Sequence, residues 1–282
     1  MTPARIAELL DPFLRAPLTL PTLPADCHSE PAKAGEEPAV LSAAQLQDIS
    51  TYIDILVRWN SRINLTAIRD PEDIIPRHFG ESLFAARHLF PGGRTDAGKR
   101  AALGESVPPG GGAPGGRDRG GRGPGGRAAL QGRVASQGEA GALAPEAITL
   151  ADLGSGAGFP GLPIKLWAPT IALTLIESNH KKAAFLREVS RALTLTDVNI
   201  QNARAETLTS TFDVVTLRAV EHFQAILPTA AALVAPTGRL TLLIAAAQQD
   251  QARALLPRFT WSAPAPVPHS RSRILLIARS AQ

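Results

Sequence analysis

The sequence predicts an α/β protein, a Rossmann-like open sheet preceded by a small N-terminal helical region. Three observations carry this prediction. From residue 148 onward, short apolar runs alternate with amphipathic segments in the manner of a doubly wound sheet. The run Ile148 to Leu153 breaks into three alternating glycines, Gly154, Gly156 and Gly158, and Pro163 then opens a segment with helical character. The next apolar run, Ile171 to Ile176, closes on an acid, Glu177, about 20 residues beyond the first strand. Strand, glycine turn and helix together present backbone N–H groups to a ligand, and the glycines let its atoms lie on bare backbone. A carboxylate one strand over suits the two hydroxyls of a ribose, so the pattern implies a nucleoside cofactor.

The dinucleotide fingerprint G-x-G-x-x-G, counted from Gly154, needs a glycine where Phe159 stands. The chain instead reads D-x-G-x-G-x-G from Asp152, the form in which class I S-adenosylmethionine (AdoMet) methyltransferases carry this loop. AdoMet has no pyrophosphate to cradle, and its ammonium gains from carboxylate and carbonyl oxygens. A nicotinamide or flavin cofactor, and a glycine turn that binds nothing, are the competing explanations at this point. The oxidoreductase version also wants a catalytic Tyr/Lys or His pair, and the single tyrosine, Tyr52, falls in the N-terminal region.

Taken in order, residues 1–40 hold a short helical possibility, Pro3 to Leu14, and then so many prolines that an extended lead-in is expected. Ser42 and Gln45 form a capping box before Leu46, Ile49, Ile53, Leu56 and Val57, which predicts a helix to about Asn60. Asp70-Pro-Glu-Asp73 reads as the start of another helix, carrying Ile74, Ile75, His78, Phe79 and Leu83 toward Leu89. The first region is thus 41–91, followed by a Gly/Arg-rich insertion, 92–146, in which 17 of the 24 glycines fall and no core can form. Its RGG-like pieces suit RNA contact or a plain solvated loop.

The sheet domain, 147–282, is expected to place strands at 148–153, 171–176, 198–201, 213–217 and 240–245, with helices at 162–167, 181–193, 222–234 and 249–256. Pro236-Thr-Gly238 reads as the turn before the fifth strand, and two last extended pieces near 259–262 and 273–277 suit an antiparallel closing hairpin.

Composition bounds the function. One cysteine, Cys27, excludes a disulfide framework, and six scattered histidines show no metal-ligand spacing, so no metal is assigned. No 18-residue apolar run and no basic-then-apolar leader occur, which predicts a soluble, cytoplasmic protein without a membrane partner. The stretch from Gly92 to Ala144 has eight basic and four acidic residues and so carries the whole net charge of +4. Nucleic-acid binding therefore has to rest on a local patch.

Several motifs stand together in one order. They are Trp59-Asn60-x-x-Ile63-Asn64-Leu-Thr66, Arg77-His78-x-x-x-Ser82-Leu83, Asp152-Leu-Gly-Ser-Gly-Ala-Gly-Phe-Pro-Gly161, Glu177-Ser-x-x-Lys181-Lys182-x-x-Phe185-Leu186 and Arg218-Ala219. Over roughly 42–91 and 147–280 this resembles the bacterial small-subunit ribosomal RNA guanine-N7 methyltransferases, the glucose-inhibited division protein B family. The resemblance implies a class I methyltransferase sheet, AdoMet as cofactor, 16S rRNA of the small ribosomal subunit as partner and the cytoplasm as location; a monomer is expected. It implies that Gly154, Gly156, Gly158 and Phe159 line the cofactor and that Glu177 takes the ribose. By the same resemblance Ala205 and Glu206 meet the adenine, and Arg218 sits beside cofactor and guanine as a base-orienting candidate. Asn64, His78 and Arg204 are the RNA-contact candidates it offers.

Duller roles stand beside these. Glu177 and Lys181-Lys182 could serve a helix start, Arg218 a salt bridge, Asn64 and His78 the helical packing, and Trp59 a core anchor. Three positions depart from the family's usual residues: Glu81 replaces an aspartate, Leu217 a serine, and Leu243-Ile244-Ala245 a Leu-Lys-Gly. The missing lysine raises the alternative of a weak or inactive relative that only binds RNA.

Overall fold

In a computed structural model the description covers residues 1–18, 40–91, 147–218 and 222–280. The Gly/Arg-rich insertion 92–146, the proline-rich part of the lead-in (19–39) and Ala219 lie outside the described residues.

The chain begins with α1 (Pro3–Arg15), started by Thr2, whose hydroxyl accepts from the Arg5 N–H. The helical possibility at Pro3 to Leu14 is therefore a helix, at the front of the lead-in. Ile6, Leu10, Phe13 and Leu14 recur at helical spacing and are 0–4% exposed. Helix α2 (Ala43–Asn60) carries the predicted capping box, Ser42 and Gln45 bonding reciprocally. Asp70 caps α3 (Pro71–Ile74), as its place before proline predicts. The continuous helix expected from there to Leu89 is instead interrupted. A π-helical turn, Ile75–Gly80, precedes α4 (Glu81–Leu89), and the Glu81 N–H reaches back to the carbonyl of Pro76. Pro76 brings no N–H to the ladder at this point, so the regular spacing of bonds cannot be kept.

The sheet domain follows as β1 (Thr149–Leu153), α5 (Gly161–Trp167), β2 (Ala172–Ile176), α6 (His180–Ala192), β3 (Val198–Gln201), β4 (Phe212–Arg218) and α7 (Phe223–Ala232). Then come β5 (Val234–Ala245), α8 (Gln249–Leu255), β6 (Phe259–Trp261), β7 (Ala265–Pro266) and β8 (Arg273–Ser280). The strand order is β3-β2-β1-β4-β5-β8-β6, with β7 also on β8. The first five strands are parallel, and β8 inserts antiparallel between β5 and β6, as the predicted closing hairpin requires. One boundary differs. Pro236-Thr-Gly238 lies within β5 as an irregularity, where the register against β4 shifts between Phe212 and Val214. A Cβ on Gly238 would stand 2.9 Å from the Phe212 carbonyl oxygen, so only glycine lets the two backbones close.

Alternate strand residues feed two cores. Leu150, Leu173, Leu175, Val214, Leu243, Leu275 and Ile277 pack with α1, α2, α4, α5 and α6 on one face. Leu153, Ile176, Val215, Leu217, Leu242, Ile244 and Leu276 pack with α7 and α8 on the other. The N-terminal helical region is thus one wall of a shared core. Polar pins hold it there: Trp167 Nε1 donates to the Phe90 carbonyl at 2.9 Å, Gln45 to the Leu166 carbonyl at 2.8 Å, and Trp59 Nε1 to Glu188 at 2.9 Å.

Candidate functional site

The strand C-termini of an open α/β sheet are where ligands bind, and the glycine turn after β1 is built there. Its backbone is tied to β2, with the N–H groups of Gly154 and Ser155 both donating to the Ile176 carbonyl, at 2.9 and 3.1 Å. Gly154, Gly156 and Gly158 all have positive φ (66, 54 and 84°), which explains the alternating glycines. They serve different ends. A Cβ on Gly158 would stand 2.3 Å from the Tyr52 hydroxyl, whereas one on Gly156 would meet nothing closer than the Gly154 carbonyl at 3.7 Å. The loop is therefore pressed against α2 at one point and open at another.

The family's Phe-Pro-Gly element has a steric reason as well. Gly161 donates its N–H to Asp152 Oδ2 at 3.2 Å, and a Cβ there would stand 2.7 Å from Leu175 and 2.9 Å from that carboxylate oxygen. Asp152 also accepts from the Thr216 hydroxyl at 2.8 Å. Burial pushes its carboxyl up to about 6 against these bonds and the Arg218 charge, all of which pull it down. It lies as a buried acid beneath the turn.

Glu177 is 7% exposed, and both its oxygens are engaged. One accepts from the Gly156 N–H at 2.9 Å and the other from the Asn179 N–H at 2.7 Å. Each carboxylate oxygen has a second lone pair, so two further donors can be taken without disturbing these bonds. Asn202 steadies the same strand end by donating to the carbonyls of Glu177 and Ser178 at 2.8 and 2.9 Å. Beyond it a 3₁₀ turn, Ala205–Thr207, leaves Ala205 buried and Glu206 and Arg204 exposed.

Phe159, expected to line the cofactor, turns its ring into the core. Its ring is 5% exposed and lies stacked between Tyr52 (centroids 5.4 Å apart, 2° between planes) and His78 (4.8 Å, 19°), with Phe79 edge-on. An apolar ring at this point gains more from that stack than from an open crevice. Tyr52, missed by the sequence reading as a site residue, donates its hydroxyl to the Ala157 carbonyl at 2.5 Å. It holds the glycine turn from α2.

His78, offered by the sequence either as an RNA contact or as part of the helical packing, lies buried among neighbours. It is 8% exposed, with Nε2 2.7 Å from the Thr66 hydroxyl and Nδ1 3.1 Å from Arg218. The arginine can only donate, so Nδ1 is the unprotonated nitrogen and Nε2 donates to Thr66. Burial, then the charges of Arg218, Arg77 and Arg273, pushes the ring down to about 3, so it stays neutral. Asn64 is exposed, on a loop that Asn60 braces by accepting from Leu65 and Thr66 and donating to the Thr66 carbonyl.

Arg218, at the end of β4, is turned into the π-helical turn. It donates to Glu81 Oε2 from Nε (3.2 Å) and Nη2 (3.0 Å), and from Nη2 also to the Arg77 carbonyl at 2.5 Å. Arg77 and Arg273 pair with the other oxygen of Glu81. Arg77 and Glu81 are four apart in sequence, a spacing that could have flagged them, whereas nothing local announces that Arg273 joins them from the last strand. Of the other departures, Leu217 and Ile244 are 1% and 3% exposed and belong to the apolar core of the second face.

These pieces fit AdoMet. The turn is open at Gly156, a carboxylate with spare lone pairs stands beside it, and a buried acid lies beneath for a cationic ligand. A parallel sheet closed by an antiparallel β8, with this loop at its switch point, defines a class I AdoMet-dependent methyltransferase. The pattern of the rRNA small subunit methyltransferase G family matches residues 45–101 and 140–267, and the chain belongs to that family. Ribosomal RNA small subunit methyltransferase G of Xylella fastidiosa (strain 9a5c) is 30% identical over 218 residues, covering 77% of this chain and 76% of that protein. The protein of the same name from Halorhodospira halophila is 33% identical over 204 residues, covering 72% and 71%. Among solved structures, ribosomal protein L11 methylase from Lactobacillus delbrueckii subsp. bulgaricus is 15% identical with a TM-score of 0.42, covering 48% of this chain and 72% of that one. The chain is an AdoMet-dependent rRNA methyltransferase, and the alternative of a relative that only binds RNA is not favoured.

Proposed function

We propose that this protein methylates N7 of a guanine in 16S rRNA, working as a single chain in the cytoplasm. The observation that carries the site assignment is Glu177, fixed by the Gly156 N–H at the open part of the glycine turn. The cofactor supplies a methyl group already activated on a sulfonium. Guanine N7 has an in-plane lone pair and no proton, so the protein needs no general base, and its task is to align N7 with the methyl.

In this reading Glu177 accepts the ribose hydroxyls, while Gly154, Gly156, Gly158 and the backbone of Phe159 line the cofactor. Ala205 and Glu206 meet the adenine. Arg218, fixed by Glu81 and the Arg77 carbonyl, orients the guanine rather than stabilising charge, since the product base is itself cationic. Asn64 and Arg204 contact the RNA in this reading, and their exposure supports it. Support for a single chain is that the cluster around Glu81 draws on the helical region and the sheet of the same polypeptide.

The experiment is to supply the chain to a host that lacks this modification and to map N7-methylguanine in its small-subunit rRNA. Methylation at one guanine is expected. A folded, AdoMet-binding protein that leaves the rRNA unmodified refutes the proposal.

A further inference from the structure

Glu81 is the meeting point of three arginines from three elements, and the charges there do not balance. Arg218 Nη2 lies 3.0 Å from Glu81 Oε2, while Arg273 Nε and Arg77 Nε lie 3.5 and 3.6 Å from Oε1. One carboxylate thus faces three guanidiniums, and among the described residues no second acid pairs with them.

The three are not equivalent. The Arg218 side chain is 9% exposed and commits Nε and Nη2 to Glu81, the Arg77 carbonyl and His78, which leaves Nη1 for the base. The other two make no hydrogen bond to Glu81 Oε1, which is buried and has no hydrogen-bond partner. Their side chains are 54% exposed for Arg77 and 24% for Arg273. Glu81 therefore aims both guanidiniums without using up their N–H groups. Neutral His78 adds no counter-charge. Repulsion among the three favours binding of an anion with oxygens to share, and a guanidinium fork matches phosphate oxygens in pairs.

The cluster also lies where such an anion would arrive. Arg218 follows Leu217, whose register partner is Leu153, the residue before the glycine turn. Arg273 enters at the facing end of β8, opposite Ala245.

We infer that Arg77 and Arg273 form a phosphate subsite that grips the RNA backbone beside the target nucleotide, with Glu81 and Arg218 as its buried footing. This rests on the rRNA methyltransferase reading above.

The test measures binding of the full chain to 16S rRNA over about 50–200 mM salt, with AdoMet affinity and thermal unfolding recorded alongside. Arg77→Ala/Arg273→Ala is expected to bind RNA about tenfold more weakly and to lower the slope of log affinity against log salt by roughly 0.7 for each phosphate no longer neutralised. AdoMet affinity should not move. Arg77→Lys/Arg273→Lys should keep the slope and lose part of the affinity, since lysine has the charge without the fork. An unchanged slope and affinity in the alanine variant overturns the inference. So does an equal loss of AdoMet affinity, which would make these arginines supports of the cofactor pocket. If the double variant unfolds, Arg77→Ala alone decides, at a position more than half exposed. A wild-type chain that transfers no methyl yet shows the arginine-dependent slope sinks the guanine-N7 reading and keeps the phosphate subsite.

Discussion

Two buried side chains show what individual residues contribute. Glu177 bonds the N–H groups of Gly156 and Asn179, so it shapes the turn and faces the space beside it at once. Replacing it with alanine should weaken AdoMet binding by about 10- to 100-fold, the size expected when charge-assisted hydrogen bonds are removed. Isothermal titration gives the answer, and an unchanged affinity would remove Glu177 from the site. His78 gives a pH signature. In the unfolded chain it takes a proton near its ordinary value of 6.5, but in the folded protein only near 3. Below pH 6.5 the unfolded state therefore binds the extra proton, and the stability due to neutral His78 is lost as pH falls. Asp152 works the other way between about 6 and 3.8, because its folded value is raised. The clean measurement is the difference from His78→Gln, in which Asp152 cancels. That gap should narrow by roughly 1.4 kcal/mol per pH unit below 6.5 in urea unfolding. Parallel pH curves for the two proteins would show that the imidazole does not titrate in this way.

At the scale of elements, α2 and the π-helical turn act on the glycine loop. The Tyr52 hydroxyl donates to the Ala157 carbonyl, and its ring lies flat on Phe159. Tyr52→Phe keeps the stack and deletes the bond. The expected result is a severalfold rise in KM for AdoMet with kcat and the KM for RNA little changed, since only the loop's resting geometry is loosened. A lowered Tm with KM intact would assign Tyr52 to packing alone. Most elements were legible because their signals are local: the capping box at Ser42, the Asp70 cap, and alternating apolar strands. The π-helical turn was not. Pro76 announces a break in the ladder, but the form it takes depends on Arg218 and Phe13 packing against residues 77–80. The glycine turn was readable, as bare backbone is a local requirement. The place of Phe159 was not, since its stacking partners come from residues 52 and 78.

At the scale of the molecule, the helical region and one sheet face form a single core. The front of the lead-in belongs to it, with Phe13 pressed on Gly80 so closely that a Cβ there would stand 2.6 Å from the ring. Removing residues 1–18 should therefore lower the unfolding free energy by several kcal/mol, since truncating one buried aromatic alone costs about 3–5 kcal/mol. It should also weaken AdoMet binding, because α1 backs the π-helical turn that packs on Phe159. Calorimetry with and without cofactor measures both, and an undiminished Tm would return these residues to the status of a loose lead-in.

By itself the sequence determined the sheet, its closing hairpin, the glycine turn with its neighbouring acid, and the family. Each of these rests on periodicity, backbone freedom or a run of adjacent residues. Only the tertiary structure decided that Tyr52 and Phe159 brace the loop, that His78 is buried and neutral, and that Arg77, Arg218 and Arg273 share one carboxylate. Those outcomes depend on desolvation and on charges brought together across as many as 196 positions, from residue 77 to residue 273. No local spacing encodes them.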